Sequence, residues 1–301
     1  MTVEMKAYAK INLYLDVTGR RTNGYHNIKS LMQTISLCDL VTVSINENAP
    51  AVITISCDNK DVPCNEKNLA YRAADRFYDA LGKRSATHIS IEKNIPMAAG
   101  LAGGSTDAAA VLVALNRIFG EPFSLESLCA IGKKLGADVP FCILGGSAEV
   151  SGIGDILTPL SNIRPLHLVV AKHGAGVSTP AAYGLLDEIF HSFTGEYANG
   201  TAEAGRYEAL ISELRTGSTA PVKSVYNVFE KAILPRHKEA AELKEFFLSS
   251  GAETAMMSGS GPSVFGVFRD SQLAERVAAR LNEGREAPIA FAVQSIFGGA
   301  T

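Results

Sequence analysis

Two hydrophobic periods divide this chain. Apolar and polar positions alternate over residues 6–17, 28–37, 40–45 and 52–56, which predicts strands, with a glycine-bearing turn over 19–24. A helical period comes next. Leu69, Ala73, Phe77 and Leu81 share one face, and Asn68 stands where an N-cap belongs. Alternation returns over 87–93. After a glycine-rich interval, the segment 108–115 is apolar all round, the pattern of a buried helix. Ser124 heads a further helix reaching Leu135, Gly136 to Pro140 reads as a loop, and 147–151 with 156–160 reads as a hairpin.

The periods restart beyond residue 160. A strand over 166–172 leads into Ser178-Thr179-Pro180, a helix start with proline in its first turn. Then come helix 237–249, strand 253–257, loop 258–262, strand 263–268, helix 272–282 and strand 289–293. With the intervening helices set aside, this is the strand–helix–strand–strand–helix–strand order of a split βαβ, ferredoxin-like unit. The stretch 195–205 is polar and glycine-rich and predicts a mobile loop. The expectation is an α+β protein of two domains, 1–160 and 161–301.

Composition narrows the class. The 301 residues are 47% hydrophobic and 20% charged, enough for a large core. A net charge of −3 argues against a nucleic-acid partner or an anionic membrane surface. Apolar runs are too short to span a bilayer and no secretory leader opens the chain, so the expected location is the cytoplasm. The five cysteines (Cys38, Cys57, Cys64, Cys129, Cys142) form no Cys-x-x-Cys pair. Reduced thiols are expected rather than a disulfide framework or structural zinc, with Cys142 as a small buried apolar residue.

The densest chemical signal is Pro96-Met97-Ala98-Ala99-Gly100-Leu101-Ala102-Gly103-Gly104-Ser105-Thr106, placed between a strand and the buried helix. First-turn N–H groups lack intrahelical acceptors and the helix dipole makes that end positive, so a glycine-rich entry is an anion site, most often for phosphate. Ser105 and Thr106 are also N-cap candidates, and Asp107 suits the dipole. No lysine precedes Ser105 or Thr106, so the common P-loop is excluded, as is the dinucleotide Gly-x-Gly-x-x-Gly spacing. A second cluster, Ser258-Gly259-Ser260-Gly261-Pro262-Ser263, reads either as a hairpin turn or as further N–H groups for phosphate. Taken alone, Asp138 reads as an N-cap, Lys10 as an exposed strand lysine, and Tyr25, His26 and Tyr183 as half-buried structural aromatics. Asn12 shares Lys10's face, and Thr179 caps a helix or touches a ligand.

Three segments in this order, Ala9-Lys10-Ile11-Asn12-Leu13, residues 96–106 and residues 258–263, resemble the GHMP kinases, whose members include galactokinase, homoserine kinase and mevalonate kinase. Arg21-Thr22-Asn23-Gly24-Tyr25-His26, Leu135-Gly136-Ala137-Asp138-Val139-Pro140 and Thr179-Pro180-Ala181-Ala182-Tyr183 are similar to the branch acting on a cytidine diphosphate-linked methylerythritol. The chain departs at Ala102 and Thr106, where glycine or serine is usual. Alanine is hindered at 102 only if that position takes a positive φ.

The resemblance implies a ribosomal-protein-like N-terminal domain binding ATP, a ferredoxin-like C-terminal domain, and an active site in the cleft between them. It implies ATP as donor with Mg²⁺ arriving on the nucleotide, and a place in non-mevalonate isoprenoid precursor synthesis. Asp138 is then the base, assisted by Lys10. Residues 96–106 with Asn68 and Leu69 hold ATP, and Asn12, Tyr25, His26, Thr179 and Tyr183 hold the acceptor. The expected assembly is a monomer or homodimer. The alternatives are another small-molecule kinase of the homoserine or mevalonate type, or a non-catalytic ligand-binding relative.

Overall fold

A computed structural model describes residues 1–191, 205–283 and 287–300. The stretch 195–205, expected to be a mobile loop, lies outside the described residues except for Gly205. The chain opens with β1 (Thr2–Arg20) and β2 (His26–Asn46), a long antiparallel hairpin. The two strands predicted over 28–37 and 40–45 are one, because Asp39 does not turn the chain but sits fully buried, paired with Lys93. Next come β3 (Ile53–Cys57), α1 (Leu69–Leu81) and β4 (Ala86–Glu92). Asn68 caps α1, its Oδ1 accepting the Ala70 N–H at 2.9 Å, and Gly82 closes it at φ 71°.

The glycine-rich segment feeds α2 (Gly103–Ile118), which is succeeded by α3 (Leu125–Lys133), α4 (Val139–Leu144), β5 (Ser147–Ser151) and β6 (Ile156–Pro159). The segment read as a loop through Pro140 becomes helical at Val139, since proline is well suited to a first helical turn. The second half supplies β7 (His167–Lys172), α5 (Thr179–His191), α6 (Arg206–Leu214), β8 (Tyr226–Asn227), α7 (Glu230–Ile233) and α8 (Lys238–Ser249). It ends with β9 (Thr254–Met257), β10 (Val264–Phe268), α9 (Ser271–Leu281) and β11 (Ile289–Gln294).

The first sheet runs β3-β4-β2-β1-β8, with β5 and β6 continuing from β2. The second runs β11-β7-β10-β9 with every pair antiparallel, the strand order of a ferredoxin-like unit. Two features stitch the halves together. Strand β8 returns to pair in parallel with β1, and Ser295 bridges Ile35 of β2. Helix α2 lies deep in the first half, with Ala108 to Leu112 fully buried. At about 1.5–3 kcal/mol for each large apolar side chain removed from water, Val111, Leu112 and Leu115 anchor the helix whose N-terminus faces the cleft.

Candidate active site

Helix α2 begins earlier than the apolar run predicts, at Gly103. Its N-cap position is Ala102, in left-handed geometry (φ 60°, ψ 26°) and without a side-chain cap. Neither Ser105 nor Thr106 caps it. Thr106 departs from its predicted place: it is buried, its hydroxyl donates to the Tyr8 carbonyl at 2.8 Å, and it does not line the cleft. The first-turn N–H groups of Gly103, Gly104 and Ser105 are therefore offered to the cleft by an uncapped helix. Residue 102 does take the positive φ that penalises alanine, at a cost of about 1–2 kcal/mol. Gly100, at φ 73°, is required for space as well: a Cβ there would lie 2.0 Å from the Ser258 carbonyl oxygen.

Beneath this loop lies a buried ionic cluster that the sequence reading did not assemble. Lys93, at the end of β4, pairs with Asp39 of β2 and at 2.9 Å with Asp107 of α2. The other Asp39 oxygen accepts the N–H groups of Asn94 at 2.6 Å and Ile95 at 2.8 Å. The cluster thus ties the entrance of the glycine loop to the helix that leaves it. Burial pushes the Asp107 carboxyl up to about 7 against the pull of Lys93, and Asp39 adds to the rise. Burial alone would lower Lys93, but the two carboxylates hold it above its ordinary value. Asp107 lies past the first turn, so its partner is Lys93 rather than the dipole. The available signal was Asp39, a charge in the middle of an apolar run.

Lys10 is not an exposed strand lysine but 4% exposed. Register shifts between Tyr8 and Lys10 and between Asn12 and Tyr14 bracket the short segment that carries it, a usual way for a strand to re-aim side chains. Its Nζ donates to Asn12 Oδ1 at 2.7 Å, Asn12 Nδ2 donates to Ser30 Oγ at 2.8 Å, and Ser30 donates to the Tyr14 carbonyl at 2.7 Å. This relay fixes the ammonium 3.9 Å from Asp138 Oδ2. Asp138 occupies the N-cap position of α4, yet its side chain makes no capping bond and remains at the cleft, one-third exposed.

The far end of the cleft is aromatic. The His26 ring stacks on Tyr183 with centroids 4.7 Å apart and planes at 19°, and Tyr183 meets Phe229 edge-on at 4.9 Å. Asp187 of α5 lies 2.8 Å from His26 Nε2, a partner that the sequence reading missed. Burial, and secondarily the Asp138 carboxylate, push the Tyr183 phenol up to about 12, so it stays protonated. Tyr25 stands at the rim, 60% exposed. Thr179, at the start of α5, lies 3.2 Å from the Ser260 hydroxyl.

One cavity of about 990 Å³ is lined by Lys10, Asn12, Asp138, His26, Tyr183 and Thr179, with Tyr25 at its rim, together with Leu69 and residues 96–105. Asn68 also lines it, but its amide is engaged by the α1 cap and by the Pro63 carbonyl at 2.9 Å, so it shapes the wall rather than presenting free polar atoms. The second glycine cluster contributes Gly259 and Ser260 to the cavity and otherwise braces the first, Ser258 Oγ donating to the Gly100 carbonyl at 3.0 Å. Among the described residues no group of three or more His, Cys, Asp or Glu is placed to hold a metal, and no helix is long and apolar enough to cross a membrane.

Comparison with known proteins gives the family. Residues 68–146 match the GHMP kinase N-terminal domain and residues 206–286 the GHMP kinase C-terminal domain. The chain belongs to the GHMP kinases, which use ATP as phosphate donor, and has their two-domain α+β fold. It is an ATP-dependent small-molecule kinase, as the motifs implied. The chain is 44% identical over 275 residues to 4-diphosphocytidyl-2-C-methyl-D-erythritol kinase of Clostridium perfringens, covering 91% of each chain. A crystal structure of 4-(cytidine 5'-diphospho)-2C-methyl-D-erythritol kinase superposes with a TM-score of 0.80 at 33% identity, covering 99% of this chain and 100% of that one. Homoserine kinase from Cytophaga hutchinsonii has the same fold, with a TM-score of 0.75 at 17% identity over 100% of this chain and 96% of that one.

Proposed function

We propose that this chain transfers the γ-phosphoryl group of ATP to the 2-hydroxyl of 4-diphosphocytidyl-2-C-methyl-D-erythritol, in non-mevalonate isoprenoid precursor synthesis. The observation that carries the reading is the Lys10–Asp138 pair, 3.9 Å apart, in one cavity with an uncapped helix N-terminus and a His26–Tyr183 stack. Phosphoryl transfer asks the protein for positioning and charge stabilisation. The N–H groups at the start of α2 hold the donor's phosphates. Asp138 accepts the hydroxyl proton as the acceptor oxygen bonds to phosphorus and the bond to ADP breaks. Lys10 opposes the negative charge that develops there, and Asn12 holds Lys10 in place.

At the other end, Tyr25, His26 and Tyr183 present ring faces suited to a cytosine, where stacking is worth about 1–3 kcal/mol per base in other systems. Thr179 sits beside the acceptor path. Among the described residues no group of three or more His, Cys, Asp or Glu forms a ready-made cage for Mg²⁺. An ion carried by the nucleotide keeps most of its water, and no step here is assigned to it. We assign nucleotide binding to residues 1–160. Residues 161–301 close the acceptor side, with Asn12, Tyr25 and His26 reaching across from the first half. We further assign the protein to the cytoplasm, as a monomer or homodimer.

The test is ADP release measured in parallel with the cytidine-linked methylerythritol, homoserine and mevalonate. Turnover with the first alone is expected. Turnover only with homoserine or mevalonate would move the chain to another branch of the family.

A further inference from the structure

The segment after β11 is far from the nucleotide loop in sequence, yet it runs between β2, the strand paired with the one that carries Lys10, and α4, the helix that Asp138 opens. On the Lys10 side, Thr34 of β2 is the cross-strand partner of Lys10, and the Thr34 carbonyl accepts the Ile296 N–H at 3.0 Å. The Thr34 N–H in turn donates to the Gly146 carbonyl at 2.8 Å, just beyond α4. On the Asp138 side, the Gly146 N–H donates to the Gly298 carbonyl and the Ala300 N–H to the Cys142 carbonyl, each at 3.3 Å. Cys142 lies within α4, the helix that Asp138 opens.

Gln33, fully buried, joins both sides. Its Nε2 donates to the carbonyls of Thr34 at 2.8 Å, Ile296 at 3.0 Å and Gly146 at 3.3 Å, while its Oε1 accepts from the Ser147 hydroxyl. The backbones are in such contact that a Cβ on Gly299 would lie 2.1 Å from the Ile143 carbonyl oxygen, and one on Gly145 2.0 Å from the Gly298 carbonyl oxygen. Ala300 is buried in the core beside Val139, Cys142 and Ile143.

We infer that residues 295–300 are a positioning strap: they hold α4 against β2 and so set the separation of the Asp138 carboxylate from the Lys10 ammonium. This rests on the catalytic roles proposed for Asp138 and Lys10. A short helix of six residues has little stability of its own, so its placement depends on what packs along it. None of residues 295–300 lines the cavity, so the effect expected of the strap falls on the transition state and not on ground-state binding.

Gly299→Ala is the direct probe. Gly299 does not lie in the left-handed region, so the added methyl acts only through the clash with α4. Gly298→Ala is its matched control, since nothing lies within 4 Å of a Cβ there. The expected result is a kcat about tenfold or more lower in Gly299→Ala, with KM for ATP within about twofold of wild type, as displacement of a reacting group predicts. Gly298→Ala should match wild type. Gln33→Met removes the hub without adding bulk to α4 and should give the same split. It carries the test if Gly299→Ala does not fold. Wild-type kcat in folded Gly299→Ala, or equal changes in kcat for both glycine variants, would overturn the inference. So would loss of folded protein in Gly299→Ala and Gln33→Met alike, which would assign the junction to folding. Asp138→Asn separates the two levels: if it stays active, the underlying catalytic reading fails; if it is inactive while Gly299→Ala is normal, only the strap fails.

Discussion

The loops 96–105 and 258–263 are alike in composition and opposite in use. The first ends in a helix, and its glycines keep the N–H groups of an uncapped first turn accessible from the cavity. The second ends in a strand, and its glycines let one backbone lie against another: a Cβ on Gly259 would sit 2.9 Å from the Gly100 carbonyl oxygen. Asn227 secures this second loop by donating to the carbonyls of Met257 at 2.7 Å and Gly259 at 2.8 Å. The first loop rests on charge instead, the Lys93 cluster with Asp39 and Asp107. Glycine content announces a close approach; the helix or strand into which the glycines lead decides whether a ligand or the protein itself makes it.

The substitution that strikes both loops is Gly100→Ala. Its methyl would meet the Ser258 carbonyl oxygen at 2.0 Å on a residue already at φ 73°. We expect a stability loss of about 2 kcal/mol or more and a fall in kcat/KM for ATP of about a hundredfold, read by thermal unfolding and initial rates. Near-normal values for both would show that the loops are not mutually braced.

A smaller effect distinguishes the charged support from the neutral one. Folding raises the Asp107 carboxyl from 3.8 to about 7, so the folded state binds this proton more tightly. The group's contribution to stability is full below about pH 4 and is lost as pH rises through about 7. Asp107→Asn keeps an acceptor for Lys93 and removes the buried charge beside Asp39. Between pH 5 and 8, the Tm of wild type should fall further than that of the variant. Parallel Tm profiles would contradict the buried-pair account. The smallest effect belongs to Ala102→Gly. Relief of left-handed strain is offset by the greater freedom of glycine in the unfolded chain, so a net gain below about 1 kcal/mol is expected, with KM for ATP unchanged within about twofold. A clear loss of stability would show that Ala102 is not strained.

Much of this was legible in the chain because its causes are local. The α1 cap at Asn68, the strands β9 and β10 around the second loop, and the glycine loop that opens into α2 depend on residues adjacent in sequence. What escaped depends on distant partners. The gap predicted between residues 37 and 40 is absent because Lys93, just past the end of β4, satisfies the buried Asp39. Thr106 looked available because the Tyr8 carbonyl that takes its hydroxyl belongs to β1. Asn68 was read correctly as a cap, and that very role withholds its amide from a ligand. The pairing of Lys10 with Asp138 came from family resemblance; no periodicity brings those two residues together.

The central claim is that Asp138 takes the acceptor proton while Lys10 steadies the charge beside it. Single-turnover phosphoryl transfer, with ATP and the cytidine-linked acceptor both saturating, measures that step in Asp138→Ala and Lys10→Ala. Rates at least about a hundredfold below wild type in each, with ADP binding retained, are predicted. Wild-type rates in both variants would contradict the account.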